Sequence, residues 1–337
     1  MRLHVLTADA LGPVVRHRVR ALRPHLVAAG FGELVVDEIP KRLRERIELF
    51  RRAAAADVVV LQRKLFTRAE LLLLRRAVPR LAFDVDDAVM HRDPFRGDLH
   101  SRVRAARFRA TVRAADLVLA GNAVLHAAVS AAAPGTRCVT APTPVDTARY
   151  APAASPPEPR ATFRIGWIGS RSTRPYLAAV AAPLARLVAA HADVRVAVCA
   201  DQPPELPVPV EFTPWSEEAE LTFLRSLDVG LMPLTDDAWS RGKCGFKLLQ
   251  YMACGVASVA SPVGVNVEIA DRGRAALLAP DAESFGSALA RLHAERDVAA
   301  DLGRRGRAEV LANWSVDVVG PRTAQALADL ARGGASA

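Results

Sequence analysis

Aromatic side chains are scarce. Phe, Trp and Tyr make up 5% of the 337 residues, so packing must rest on aliphatic and small side chains, and apolar residues at 51% suffice for two sizeable cores. The length exceeds what one ordinary α/β sheet needs and suits two domains. Lysine is scarcer still: Lys41, Lys64, Lys243 and Lys247 are the only four, and Arg supplies the rest of a formal charge of +9. The arginines are spread along the chain and not clustered with aromatics, which argues against nucleic-acid binding. A basic surface suits anionic lipid or an anionic acceptor better. The four cysteines (Cys138, Cys199, Cys244, Cys254) form no CxxC pair and no zinc spacing, which points to a reducing compartment. No segment approaches the ~20 apolar residues of a membrane span. The apolar start, residues 1–8, is interrupted by His4 and is no signal-peptide core. These absences lead us to expect a soluble, cytoplasmic protein, with membrane contact only at the periphery of the inner face. No GxGxxG follows the first strand, which disfavours a dinucleotide oxidoreductase.

What is present is alternation. Short β-type runs at 3–7, 34–36, 58–61, 81–84, 117–120 and 138–140 are separated by helical stretches at 14–29, 41–56, 68–77, 101–115 and 122–132. Near-continuous apolar strands alternating with helices predict a parallel sheet covered on both faces. A Pro- and Ala-rich stretch, residues 143–161, cannot hold a regular helix and reads as a linker. Beyond it the alternation restarts, with strands at 163–168, 194–199, 210–212, 229–232, 257–260 and 276–278. Helices are expected at 175–190, 217–226, 245–254, 282–296, 299–313 and 316–332. The predicted architecture is α/β with two Rossmann-like parallel-sheet domains, 1–142 and 162–315, facing a cleft. The segment 316–337 is a final helix and tail that can pack back on the first domain. Ligands are expected beyond the carboxyl ends of the strands, where βα loops and helix N-termini converge.

The most informative segment runs from Ser240 to Ile269, SRGKCGFKLLQYMACGVASVASPVGVNVEI. On a helical wheel Lys247, Gln250, Tyr251 and Cys254 share one side, and Lys243 joins them if the helix starts early; Leu248, Leu249, Met252 and Ala253 fall opposite. A solvated face is the plain reading of such a pattern. Two of only four lysines, with a tyrosine and a cysteine beside them, point instead to a diphosphate site, where ammonium groups and helix N-terminal amides neutralise a pyrophosphate.

This segment resembles the donor site of retaining glycosyltransferases of the large family 4 type, which have the GT-B fold. Two further stretches carry the resemblance: IGWIGSRSTRPY at 165–176 is similar to the opening strand and loop of that family's second domain, and LQR at 61–63 with FDVDDAVM at 83–90 is similar to the first domain of one bacterial subgroup. Arg16, His17 and Arg18 after Gly12 match that subgroup's N-terminal loop. The resemblance implies hexosyl-type transfer from a nucleotide diphosphate sugar to a hydroxyl, with retention, without metal or other cofactor, and leaves UDP and GDP both open. The acceptor would be a sugar or lipid-linked hydroxyl, in cell-surface polysaccharide synthesis if the bacterial subgroup is a guide. Lys247 and Lys243 would contact the donor diphosphate, Gly169, Ser170 and Arg171 would form the loop beneath it, and Gly264 and Asn266 would lie beside the phosphates or the sugar. Catalysis would be mainly leaving-group stabilisation by Lys243 and Lys247.

The departures are equally specific. The family commonly carries two glutamates separated by seven residues; here the first falls on Gly242 and the second on Gln250, which retains only one carbonyl oxygen for ribose hydroxyls. Asp236 or Asp237 in PLTDDAW is a candidate replacement. The loss also keeps a non-catalytic nucleotide-sugar binder open, and a sugar-nucleotide epimerase would share the architecture. In the first half Asp84, Asp86 and Asp87 sit at a strand end, able to bind metal, to act as base or to accept from sugar hydroxyls, or simply to cap the next segment or pair with Arg. Arg16 and Arg18 are expected on the acceptor side of the cleft. His91 and His100 receive no role, and Trp314 reads as a packing anchor.

Overall fold

The computed structural model describes residues 1–153 and 161–333. They fall into two compact units. The first comprises Met1–Pro144, Arg241–Cys244 and the chain from Val316 onward; the second comprises Val145–Ser240 and Gly245–Ser315.

Each unit is built on a six-stranded parallel sheet. In the first, β1 (Arg2–Thr7), β2 (Glu33–Glu38), β3 (Val58–Gln62), β4 (Leu81–Val85), β5 (Leu117–Ala120) and β6 (Cys138–Thr140) lie in the order β2-β1-β3-β4-β5-β6. Every residue of β3, β4 and β5 is buried, which is why these segments read as unbroken apolar runs: helices cover both faces. The edge strand β2 is only half-buried and accordingly carries Glu33, Asp37 and Glu38. In the second unit β7 (Phe163–Ile168), β8 (Val194–Ala200), β9 (Val210–Pro214), β10 (Val229–Met232), β11 (Ala257–Ala260) and β12 (Leu277–Leu278) take the order β12-β11-β10-β7-β8-β9. Strand order reverses between β1 and β3 in one sheet and between β7 and β10 in the other. Loops leaving those paired strands diverge to opposite faces, opening a crevice beyond their carboxyl ends.

The helices depart from expectation in three places. The stretch 14–29 is a short turn Pro13–Val15, a π-helical turn Arg16–Arg20 and a helix Arg23–Ala28. The wider turn buries His17, Arg18 and Val19 in succession. The stretch 175–190 breaks into Arg174–Ala178 and Ala181–Ala190, with Val180 at φ −108°, ψ 11°. Pro183 has no N–H to continue the ladder there. The helix expected at 299–313 begins at Arg296, runs to Glu309 and ends in a π turn, Val310–Trp314.

The described part of the 143–161 stretch is not free chain. Val145 donates its N–H to the Trp314 carbonyl at 3.0 Å, and Tyr150 is fully buried in the core of the second unit. Residues 154–160 of that stretch, and 334–337 of the tail, lie outside the described residues. The last helix, Val316–Ala331, packs on Arg23–Ala28, where Ala324, Leu327 and Leu330 complete a core with Leu22 and Leu26. Among the described residues no helix is long and apolar enough to cross a membrane. All four cysteines are free thiols.

Candidate functional site

Beyond the carboxyl ends of β7, β10 and β11 the second unit gathers three loops. The first holds Gly169, Ser170 and Arg171. The Ser170 N–H goes to Thr173 Oγ1 (3.1 Å), its hydroxyl lies 3.0 Å from Ser172 Oγ, its carbonyl accepts from the Arg174 N–H (3.1 Å), and the Arg171 N–H is taken by Asp201 Oδ1 (2.8 Å). The second follows β10 and holds Asp237, whose carboxylate accepts from the Ser240 N–H at 2.7 Å. Asp237 therefore stabilises its own loop. The third follows β11 and holds Gly264, at φ +56°, and Asn266. Asn266 is buried, and its Nδ2 donates to the Ser261 carbonyl at 3.1 Å, so its side chain braces the loop it was expected to project from.

The donor-segment helix spans Phe246–Ala253 and starts late, because Gly245 sits in the left-handed region at φ +64°. Lys243 is thus not on this helix; it belongs to the first unit. The expected two-faced helix is also corrected: Leu248 to Ala253 are all buried, Gln250, Tyr251 and Cys254 included. Neighbours on every side explain it. The helix packs on β10, β11, Arg296–Glu309 and the π turn at Val310–Trp314. Tyr251 accepts the Ile168 N–H at 2.9 Å, and burial pushes its hydroxyl well above the usual phenol range. Burial likewise pushes the Cys254 thiol up to about 12, so it is no nucleophile. Lys247, like Phe246 before it, is half-buried, with Nζ 5.8 Å from the centroid of the Trp167 ring on β7.

Gln250 does not offer its amide outward. Its Nε2 donates to Glu220 Oε1 (2.6 Å) and lies 3.3 Å from the Tyr150 hydroxyl, which itself hydrogen-bonds Glu220. Trp215 Nε1 donates to the other carboxylate oxygen, Oε2, at 3.1 Å. Glu220 is 1% exposed. It escaped notice in the sequence because it is one of three glutamates opening a helix, Glu217–Arg225, and only its neighbours in space distinguish it.

In the first unit the strand-end aspartates meet two arginines. Arg18 is buried with its fork on Asp84: Nε lies 3.1 and 3.0 Å from the two carboxylate oxygens, and Nη1 donates to the Ala141 carbonyl (2.9 Å) and Thr143 Oγ1 (3.0 Å). Burial opposes the charge, but Asp84 outweighs it and the guanidinium is held more firmly protonated than usual. The expected acceptor-facing role of Arg18 is therefore corrected, since the π turn carries it into the protein. Gln62 extends the network, from Nε2 to Asp84 (3.2 Å) and from Oε1 to the Thr7 hydroxyl (3.0 Å). Arg16 stays half-buried, its Nε 3.2 Å from His17 Nε2.

Asp87 and Asp86 are not helix caps; both pair with Arg63. Asp87 hydrogen-bonds Arg63 Nη2, and Asp86 Oδ1 lies 3.2 Å from Arg63 Nε. Arg63 itself sits at φ +56° immediately after β3, a conformation rare for a branched-chain-sized side chain and one that turns it onto this cluster. Burial raises the Asp86 carboxyl above its ordinary range, against the pull of Arg63 and Arg18 and with the push of Asp87 and Asp84. The Cys244 thiol is raised by burial and by the same aspartates.

The position of the family's first glutamate is closed by packing. A Cβ built at Gly242 would stand 2.6 Å from the Ala88 Cβ and 3.0 Å from its N. Asn122 holds that segment: its Oδ1 caps the helix Ala123–Ala132 through the Leu125 N–H (2.9 Å), while its Nδ2 donates to the carbonyls of Gly242 (3.1 Å) and Lys243 (3.0 Å). The Asn before a helical run was the available signal for the cap, but nothing in the sequence pointed to its second task. His91 and His100 make a ring contact at 5.8 Å.

The comparisons with known proteins decide what this framework is. Residues 163–295 match the family model described as glycosyl transferases group 1. The whole fold is shared with solved glycosyltransferases at low identity. Sucrose-phosphate synthase from Thermosynechococcus elongatus superposes with a TM-score of 0.79 at 15% identity, over 99% of this chain and 100% of that one. HepE of Anabaena, in complex with UDP and glucose, gives 0.73 at 14%, over 98% and 100%. WaaG, a glycosyltransferase involved in lipopolysaccharide biosynthesis, gives 0.72 at 14%, over 99% and 100%. The two six-stranded parallel sheets are those of the GT-B fold. No curated protein matches the sequence.

Proposed function

We propose that the chain transfers a sugar from a nucleoside diphosphate sugar to an acceptor hydroxyl, with the donor on its second unit. The observation that carries this reading is the convergence of the Gly169–Arg171 loop, the loop after β10 and the loop of Gly264 at the switch point of a sheet whose residues 163–295 match a group 1 glycosyltransferase model. Lys247 supplies the charge for the diphosphate, from its seat over Trp167; Gly169, Ser170, Arg171 and Gly264 form the loops beside it; Asn266 and Asp237 hold those loops in shape. Lys243 is a second candidate cation. UDP is the first nucleotide to try, because HepE was solved with UDP and with UDP-glucose. The reaction is of the family 4 type, a hexosyl transfer with retention and without metal, in which leaving-group stabilisation outweighs acid–base work. On the first unit Asp86 and Asp87, with Arg16 near the loop after β1, serve the acceptor. The protein would work in the bacterial cytoplasm, at the inner membrane face, on a polysaccharide or lipid-linked acceptor.

One observation favours a second reading. Gln250, in place of the family's ribose-binding glutamate, is locked onto Glu220 and Tyr150, which suits a nucleotide-sugar binder that has lost turnover. Two measurements on the same protein separate the readings. Thermal stabilisation by UDP, GDP, ADP, CMP and NAD should single out one nucleoside diphosphate, with about 2.7 kcal/mol of added stability at ~100 times its dissociation constant, and Lys247→Ala should abolish the shift. Release of that diphosphate from its sugar conjugates then marks an enzyme, and binding without release marks the binder. No shift with any nucleotide overturns both.

A further inference from the structure

At the opposite edge of the second sheet, before β7 and β8 begin, three metal-ligating side chains meet. His191 ends the helix Ala181–Ala190, Asp193 lies two residues on in the turn leading into β8, and His293 comes from the end of the helix Ala282–Ala294. One ligand atom from each lies within 4.8 Å of the others. His293 Nε2 is 3.0 Å from both oxygens of Asp193, and the His191 and His293 rings meet at an angle of 46° with centroids 4.3 Å apart. All three side chains are half-buried.

We propose that His191, Asp193 and His293 form a binding site for a divalent first-row transition cation, with Zn²⁺ the ion best suited to two imidazoles and one carboxylate. The chemistry follows from the donor set. Imidazole selects Zn²⁺ and its neighbours over Mg²⁺ and Ca²⁺, and three protein ligands leave a fourth tetrahedral position for water. Donors around tetrahedral Zn²⁺ stand about 3.4 Å apart, so His293 and Asp193 are already at that spacing and only His191 must close in. The cation takes the place of the proton that now joins His293 Nε2 to Asp193, and the imidazole must then carry its own proton on Nδ1.

The surroundings hold the ligands in place. Arg296 Nη2 donates to Asp193 Oδ2 at 2.9 Å and its guanidinium lies over the Phe163 ring at 4.2 Å. Its charge works against a cation, but its hydrogen bond fixes the carboxylate and leaves Oδ1 as the ligand atom, as supporting groups do at metal sites. The site ties the turn at 191–193 to a helix about a hundred residues later, at the amino edge of the sheet, whereas the donor loops leave the carboxyl edge. A cation here stabilises the second unit and stays outside the transfer chemistry.

The test is calorimetric titration of the chelator-treated full chain with ZnCl₂, with Co²⁺ as a spectroscopic stand-in. One Zn²⁺ per chain, a rise in Tm of several degrees and the visible bands of four-coordinate Co²⁺ are expected. His191→Gln and His293→Gln should each weaken binding by about 10–100-fold or more while circular dichroism stays unchanged, and His91→Gln should leave binding as it was. Equal binding by the wild type and both ligand variants, or several weak ions per chain, would overturn the site. So would octahedral Co²⁺ spectra with no rise in Tm.

Discussion

Gln250 donates to Glu220 at 2.6 Å inside the second unit, and the Tyr150 hydroxyl closes the triangle. The amide is needed there because a carboxylate already occupies the other side. Gln250→Glu, which restores the family's residue, would set two carboxylates against each other in a buried place. We expect it to lower stability by about 1–3 kcal/mol, measured by urea unfolding, with the defect shrinking as pH falls because one of the pair must hold a proton. Glu220→Gln in the same chain should restore most of the loss. A Gln250→Glu chain as stable as wild type would contradict the geometry.

Gly242 leads to a similar reversal. The family's glutamate cannot return where a Cβ meets Ala88 at 2.6 Å. Gly242→Ala is expected to cost about 1–3 kcal/mol by overpacking. Ala88→Gly should recover part of that, since the Ala88 backbone stays close. Full additivity of the two changes would show that the residues do not share this contact.

Asp86 gives a pH dependence of defined sign. Its carboxyl is raised in the folded state, so the native protein binds that proton more tightly than the unfolded chain does. Its contribution is fully present below the unfolded value and is lost as pH rises through the folded one. Asp86→Asn should therefore gain stability relative to wild type as pH is raised above the ordinary 3.8 of aspartate. Chemical denaturation of both proteins across that range checks it; a difference that is flat with pH would mean an ordinary Asp86.

Much of the fold could be read from the sequence, since most of the strands, β3, β4, β5, β10 and β11 above all, are largely apolar or β-branched runs, and strand burial is a local property. The helix breaks were less visible. A π turn at Arg16–Arg20 exists because Arg18 must reach Asp84, a partner 66 residues away that no local pattern encodes. The candidate site divides in the same way. Residue types at Lys247, Gly169 and Gly264 are set by short motifs, and their loops do gather at one sheet edge. Gln250, Asn266, Asp237 and Arg18 carried the right chemistry for ligand contact, yet each has a buried or backbone partner within the fold. The wheel that put Tyr251 and Cys254 on a polar face counted one helix and could not count the elements packed around it.

The first unit draws its core from both ends of the chain, since Ala324, Leu327 and Leu330 pack with Leu22 and Leu26. During synthesis, then, its hydrophobic surface around Leu22 stays uncovered until the helix Val316–Ala331 has left the ribosome, by which time the second unit already has every residue it requires. The part made first is finished last, and a chaperone holding the nascent chain would find its natural footing there.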